Sequence, residues 1–322
     1  MKNLAVMTSG GDAPGMNACL RAIVRTAQNN QINVFGVLNG YEGLIDNQMM
    51  ELTPREVGNI IQKGGSILRT SRSQRFLRED YRALAIKNLT QNKIRHLLVI
   101  GGEGSLKGAN CISKESDLNV LGLPATIDRD LPLVGPTIGF DTAINTALQA
   151  IDRIRDTAST SNTVHIVEVM GRHCGWISLY AGIGGGAEAV ILQEFNVDIK
   201  KLTKQIKEQR NSGKTGCILI VSEGAYNATG GEGLIKELNN SSNFDLRITK
   251  LGHIQRGGNP SAVDRVLGSR LGAIAVDKSL SGFKNCVVAQ PKEIIELIPF
   301  DDLTKRYSSD MKDYYDLIFK LA

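Results

Sequence analysis

The feature that most constrains this chain is a unit repeated along it: a short β-branched apolar run, a turn, then a segment whose apolar residues recur with helical period. Such βα units, set end to end, build parallel sheets flanked by helices. Strands are expected at residues 4–7, 33–38, 96–100 and 120–123, and again at 165–170, 189–192, 217–222 and 286–290. Helices are expected at 143–154, 199–209 and 262–277. The fold class is therefore α/β. At about 100–200 residues per domain, the 322 residues suggest two lobes. No Ser/Pro-rich or charged linker separates them, so the chain can pass between lobes more than once.

Composition narrows the function classes. With 42% hydrophobic and 22% charged residues the chain is globular, far from disordered or collagen-like sequences. The +5 net charge is spread without a basic run and aromatic content is low, which argues against a nucleic-acid partner. No window approaches about 18 uninterrupted apolar residues and the N-terminal apolar run is too short for a signal, so a cytoplasmic protein without a membrane partner is expected. The five cysteines (Cys19, Cys111, Cys174, Cys217, Cys286) form no C-x-x-C pair or zinc spacing and are expected as reduced, mostly buried thiols.

Three strand ends carry the chemistry. The first runs into Thr8-Ser9-Gly10-Gly11-Asp12-Ala13-Pro14-Gly15, where glycines let backbone N–H groups approach an anion beside a helix N-terminus. Alone, this could equally be a tight βα turn. The second is Gly101-Gly102-Glu103-Gly104-Ser105, in which Glu103 is suited to hold Mg²⁺ beside a polyphosphate. The third is Thr126-Ile127-Asp128-Arg129-Asp130. In an extended turn both carboxylates would point the same way, one to take a hydroxyl proton and one to help hold the metal. Read alone, the same segment is an Asx turn. A Walker loop is disfavoured because Gly213-Lys214-Thr215 is preceded by Glu208 where its first glycine belongs. A dinucleotide fingerprint fails because Ala187 stands at its last glycine position. Arginines in Met170-Gly171-Arg172-His173 and near Leu251-Gly252-His253-Ile254-Gln255-Arg256 suggest an anionic substrate, while His253 alone reads as structural.

Taken in order over nearly the whole chain, the strings TSGGDAPGMNA, GGEGS, TIDRD, VEVMGR and LGHIQRGG closely resemble the bacterial ATP-dependent 6-phosphofructokinase family. The resemblance implies two Rossmann-like lobes in a homotetramer, a glycolytic role, ATP with Mg²⁺ as phosphoryl donor, and fructose 6-phosphate as acceptor. It places the nucleotide lobe at 1–138 plus about 252–300 and the sugar-phosphate lobe at 139–251 plus about 301–322. Matched motif by motif, it assigns Gly11, Tyr41, Arg72, Ser73, Gly102, Glu103, Gly104 and Ser105 to the nucleotide, with Glu103 at the metal position. Thr126, Asp128 and Asp130 match the catalytic turn, with Asp128 as base. Thr163, Met170, Gly171, Arg172, Glu223, Arg247, His253 and Arg256 match sugar-phosphate positions, Arg172 also facing the transferred group. Gly104 and Ala125 resemble the ATP-using branch; the pyrophosphate-using branch typically carries Asp and Lys there.

Three positions depart from the family pattern. Glu103 replaces an Asp and extends the carboxylate by a methylene, and a displacement of about 1 Å can cost ~10²-fold in rate. Arg129 replaces an Asn and, pointing inward, would lower the pKa of the base. Thr163 replaces a phosphate-holding Arg, a loss of roughly 1.5–3 kcal/mol. An effector site is matched at Arg21, Arg25, Arg155, Glu188 and Lys214, whereas Pro54, Ser212 and Gly216 replace basic residues, so weakened regulation is expected. These departures also admit a paralogue with another acceptor, or a weak regulatory subunit.

Overall fold

The structure, a computed structural model, describes residues 3–161, 163–304 and 309–321; the remaining positions of the expected lobes lie outside them. The chain divides into two units, Met1–Thr142 with Arg256–Arg306 and Ala143–Gln255 with Tyr307–Ala322. Both are α/β, as the repeated unit requires. In chain order the first holds β1 (Asn3–Ser9), α1 (Met16–Asn29), β2 (Asn33–Val37), α2 (Gly40–Ile45), β3 (Met49–Leu52), α3 (Glu79–Gln91), β4 (Ile94–Gly101), α4 (Glu103–Glu115) and β5 (Asn119–Pro124). Helix α5 (Phe140–Ser161) leads into the second unit. That unit holds β6 (Val164–Val169), α6 (Trp176–Gly184), β7 (Ala189–Ile191), α7 (Ile199–Asn211), β8 (Cys217–Ser222), α8 (Ala225–Ala228), α9 (Gly230–Ser241) and β9 (Leu246–Lys250). The chain returns through α10 (Ala262–Leu280), β10 (Cys286–Lys292) and β11 (Ile294–Pro299), and α11 (Ser309–Leu321) rejoins the second unit.

The first sheet has the order β11-β10-β5-β4-β1-β2-β3, parallel throughout except for the antiparallel edge strands β11 and β3. The second, β7-β8-β6-β9, is entirely parallel. Central strands are covered on both faces, which is why they read as unbroken apolar runs: Leu4 to Met7 and Leu97 to Ile100 are wholly buried. Three edge strands, β3, β9 and β11, were not expected from the pattern.

Helix α1 places Leu20, Ile23, Val24 and Ala27 on one buried face, the i, i+3, i+4, i+7 spacing of an amphipathic helix. It packs against α10 at very short range because α10 carries Gly268 and Gly272 there. A Cβ on Gly272 would lie 2.6 Å from the Cys19 carbonyl oxygen. None of the five cysteines forms a disulfide; Cys19, Cys217 and Cys286 are buried and Cys111 and Cys174 half-buried. Burial pushes the Cys286 thiol up to about 11. Among the described residues, no helix is long and apolar enough to cross a membrane.

Candidate active site

In the first unit the strand register brings three turns together. Ser9 at the end of β1 pairs with Gly101 at the end of β4, and Gly101 pairs with Pro124 at the end of β5. The Gly10-Gly11, Gly102-Glu103-Gly104 and Thr126–Asp130 segments therefore leave one edge of the sheet side by side, where open α/β sheets bind ligands. Close approach follows from the small residues. A Cβ on Gly10 would sit 3.0 Å from the Ser105 hydroxyl, and one on Gly102 would sit 3.4 Å from Thr126 Cβ. The space beside Gly104 is open, with nothing within 4 Å of where a Cβ would be. The Arg256 guanidinium lies over Gly11, with Nη1 2.4 Å from where a Gly11 Cβ would be, and donates to the Asp12 carbonyl at 3.4 Å. Arg256 thus stands at the glycine turn of the first unit.

Glu103 is the first residue of α4, a position the helix dipole favours for an acid. Its carboxylate accepts from Lys107 Nζ at 2.6 Å, one helical turn along. Tyr41 is buried: its ring stacks on Phe76 at 3.9 Å and its hydroxyl donates to the Ser105 carbonyl at 2.6 Å. It braces the first turn of α4 from beneath. Arg72 is exposed, and Ser73 Oγ accepts from the Phe76 amide at 3.0 Å.

The turn after β5 is buried up to Asp128, which is 5% exposed. The Thr126 hydroxyl organises it, accepting from the Asp128 amide at 3.1 Å and donating to Asp130 Oδ1 at 3.3 Å. The expectation of an extended turn is corrected here, because Arg129 takes the left-handed conformation with φ 51° and bends the chain between the two aspartates. Asn tolerates that conformation well and Arg does not. The Arg129 guanidinium lies over the Phe140 ring, 5.4 Å from its centroid, a cation–π arrangement.

In the second unit, Met170, Gly171 and Arg172 follow β6, and Glu223 follows the neighbouring β8. Glu223 Oε1 accepts from the amides of Gly171 (3.3 Å) and Arg172 (2.8 Å). Gly171 has φ 147°, and a Cβ there would meet the Cys174 carbonyl oxygen at 2.3 Å, so the turn requires glycine. Gln255, fully buried, accepts from the Met170 amide at 2.9 Å. A cavity of about 620 Å³ opens between these turns, lined by Glu168, Arg172, Glu223, Asn227, Glu232 and Lys250 among others. His253 is exposed on the segment that follows β9.

The remaining two sugar-phosphate positions lie elsewhere. Thr163 immediately precedes β6 and Arg247 sits at the start of β9, paired with His165. They are at the N-terminal end of the sheet, whereas Met170, Arg172 and Glu223 are at its C-terminal end, about 17 Å away at strand rise. Thr163 is 4% exposed and shares a hydrogen bond with Ser161 at 2.9 Å. Arg247 is exposed and paired with Asp245. Burial and the Arg247 charge together hold the His165 pKa below its ordinary value, while Asp245 opposes them.

Three of the effector positions also meet in the second unit. Glu188 is buried, accepts from the Ile218 amide at 2.5 Å, and pairs with Lys214 at 3.0 Å and Arg155 at 3.7 Å. Arg155 additionally donates to the Gly185 and Gly186 carbonyls. Arg21 and Arg25 lie four residues apart on α1 of the first unit.

Sequence reasoning missed the roles of Lys107 and Gln255. Lys107 was findable from its i,i+4 spacing to Glu103; Gln255 gave no local signal, because its partner Met170 is 85 residues away.

A phosphofructokinase family model matches residues 3–279. The chain is 47% identical over 306 residues to the ATP-dependent 6-phosphofructokinase 1 of Thermus thermophilus, covering 95% of both chains. It is 44% identical to the ATP-dependent 6-phosphofructokinase of Staphylococcus epidermidis over the whole of both chains. Among solved structures, Pichia pastoris phosphofructokinase is similar with a TM-score of 0.89 and 33% identity over all of this chain, which spans 38% of the yeast chain's length. A pyrophosphate-dependent phosphofructokinase from Marinobacter aquaeolei, 22% identical with a TM-score of 0.81, shares the fold. The family match over residues 3–279 and the identity over nearly the full length lead to one conclusion: the chain belongs to the phosphofructokinase family.

Proposed function

We propose that the protein is an ATP:fructose-6-phosphate 1-phosphotransferase. The observation that carries this reading is the register that sets two glycine turns beside the Thr126–Asp130 carboxylates at one sheet edge. Backbone N–H groups of those turns receive the triphosphate, and the open space at Gly104 leaves room for a nucleotide where the pyrophosphate-using branch typically carries an aspartate. Asp128 takes the proton of the sugar 1-hydroxyl as the hydroxyl oxygen attacks the γ-phosphorus and the bond to the β–γ bridging oxygen breaks, releasing ADP. Thr126 and Asp130 hold the turn that aims it. Arg172, its amide fixed by Glu223, supplies a guanidinium for charge developing on the transferred group.

The donor set fits Mg²⁺, a hard cation usually held by one or two carboxylates together with substrate phosphates. Glu103 would hold it, giving up Lys107 to do so. When bound, such an ion would supply neutralisation of the phosphate charge.

The split of Thr163 and Arg247 from Arg172 and Glu223 supports an oligomer, because one chain presents the two halves of its sugar-phosphate set at opposite ends of one sheet. We take this as a homotetramer acting in the cytoplasm, with the Arg155–Glu188–Lys214 cluster as part of an effector site. A second reading, an altered sugar-phosphate acceptor, is favoured by Thr163, which offers a hydroxyl already shared with Ser161 in place of a cation.

The test is ADP release with Mg·ATP, with and without fructose 6-phosphate. Sugar-dependent turnover of about 1–100 s⁻¹, lost by ~10²-fold or more in Asp128→Asn, is expected. Turnover independent of the sugar rejects the reading, and turnover only with another sugar phosphate in a panel selects the second one.

A further inference from the structure

Asp264 lies in the first turn of α10, 1% exposed, and none of the motifs uses it. Its carboxylate collects donors that are far away in sequence. Oδ1 accepts from the Gly139 amide at 2.8 Å; Oδ2 accepts from the Thr142 amide at 2.8 Å and the Thr142 hydroxyl at 2.5 Å. The Thr142 hydroxyl in turn accepts from the Ser261 amide at 2.9 Å, and Ser261 Oγ accepts from the Asp264 amide at 3.2 Å. The first-turn amides of two helices, α5 and α10, are thereby satisfied within one closed network. A buried carboxylate is expensive to keep, and burial does push the Asp264 pKa up. Three convergent donors offset that cost and fix the carboxylate's orientation.

What the network fixes is the strap of residues 137–142, and several further contacts of that strap lead to the catalytic turn or the first glycine turn. The Thr137 hydroxyl donates to the Thr126 carbonyl at 2.7 Å, and Ile138 bridges to Ala125 and donates its amide to the Pro124 carbonyl at 3.0 Å. Gly139, with φ 102°, presses against Ala13 and Ile127, to which a Cβ would come within 2.7 and 3.3 Å. Phe140 receives the Arg129 guanidinium. Gly15, at φ 109°, fits between Ile138 and Asp264 itself. The strap is thus wedged between the two turns that the proposed reaction needs, and Asp264 is its anchor.

We infer that Asp264 is a positioning residue, which sets the aim of Asp128 through the strap of residues 137–142. This rests on the proposed phosphotransferase reading for its kinetic consequence but not for its structural one. Asp264→Asn replaces an acceptor oxygen with a donor facing an N–H, and the strap loses one attachment. Thr142→Val removes the hydroxyl link while leaving the carboxylate in place, and serves if Asp264→Asn fails to fold.

The experiment has two arms. In hydrogen exchange, peptides covering residues 121–131 are expected to exchange about 10-fold faster in either variant, while peptides over β2 and β3 stay unchanged. In steady-state kinetics below each variant's Tm, kcat is expected to fall about 10-fold, since misplacement of about 1 Å can cost ~10²-fold. Combined with Thr137→Val, which removes one of the strap's links to the catalytic turn, the fall in kcat is expected to be less than the product of the two single effects. Unchanged exchange at 121–131, or multiplicative losses in the double variant, would overturn the inference. If the natural protein shows no sugar-dependent turnover, the phosphotransferase reading fails and the exchange arm alone decides the role of Asp264.

Discussion

Arg129 shows how one residue can set backbone strain against a side-chain contact. Its left-handed backbone is a conformation in which an L-residue other than Asn or Gly is strained by about 1–2 kcal/mol, and its guanidinium recovers roughly 0.5–1 kcal/mol against the Phe140 ring. Arg129→Asn exchanges one advantage for the other, so its Tm is expected to stay within about 2 °C of the natural protein. A large loss would mean that the cation holds more than a ring. His165 makes the opposite kind of prediction. Burial and Arg247 lower its folded-state pKa below 6.5, so the unfolded chain takes the proton first. The stability this contributes is complete above the unfolded value and is lost as pH falls from 6.5 through the lower folded value. Thermal melts across that window should decline less steeply in His165→Gln, and Arg247→Ala should raise the His165 pKa in an NMR titration.

At the scale of elements, helix pairing turns on single glycines. Gly272→Ala would gain about 0.5–1 kcal/mol of helix propensity, but its methyl would stand 2.6 Å from a backbone carbonyl of α1 that cannot rotate away. Overpacking of this kind costs about 1–3 kcal/mol, so a net fall in Tm is expected by calorimetry. Strands buried on both faces were legible because burial writes itself as a continuous apolar run. Strands β3, β9 and β11 were not, because each has one neighbour and mixes exposed with half-buried residues, as Leu246, Arg247, Ile248, Thr249 and Lys250 do. The glycine turns and the Asp128–Asp130 pair were legible for a related reason: their chemistry is local. The Glu223 carboxylate on the Gly171 amide, the Gln255 contact with Met170 and the Asp264 network join residues 52 to 125 positions apart. Spacing carries no trace of such partners.

For the whole molecule, the two ends of the second sheet make a prediction that no single site makes. Were the proposed sugar-phosphate site completed by a second copy, Arg172→Ala and Arg247→Ala would each be inactive alone. Dissociated, mixed and reassembled, they should regain part of the natural turnover, since some sites then receive both arginines. Mixing that restores nothing would place Arg247 outside the site.

The strand ends at Ser9, Gly101 and Pro124 have a consequence for how such a protein can change over evolutionary time. Because each part of the proposed site is the continuation of a strand locked in register with its neighbour, inserting or deleting a residue in β1, β4 or β5 would move one third of the site against the other two. Innovation by inserting or deleting residues within these strands is closed, and what stays open includes substitution at fixed backbone positions. Glu103 and Arg129, which the resemblance reads as replacing an Asp and an Asn, would be changes of that permitted kind, altering reach or charge at a coordinate the sheet continues to dictate.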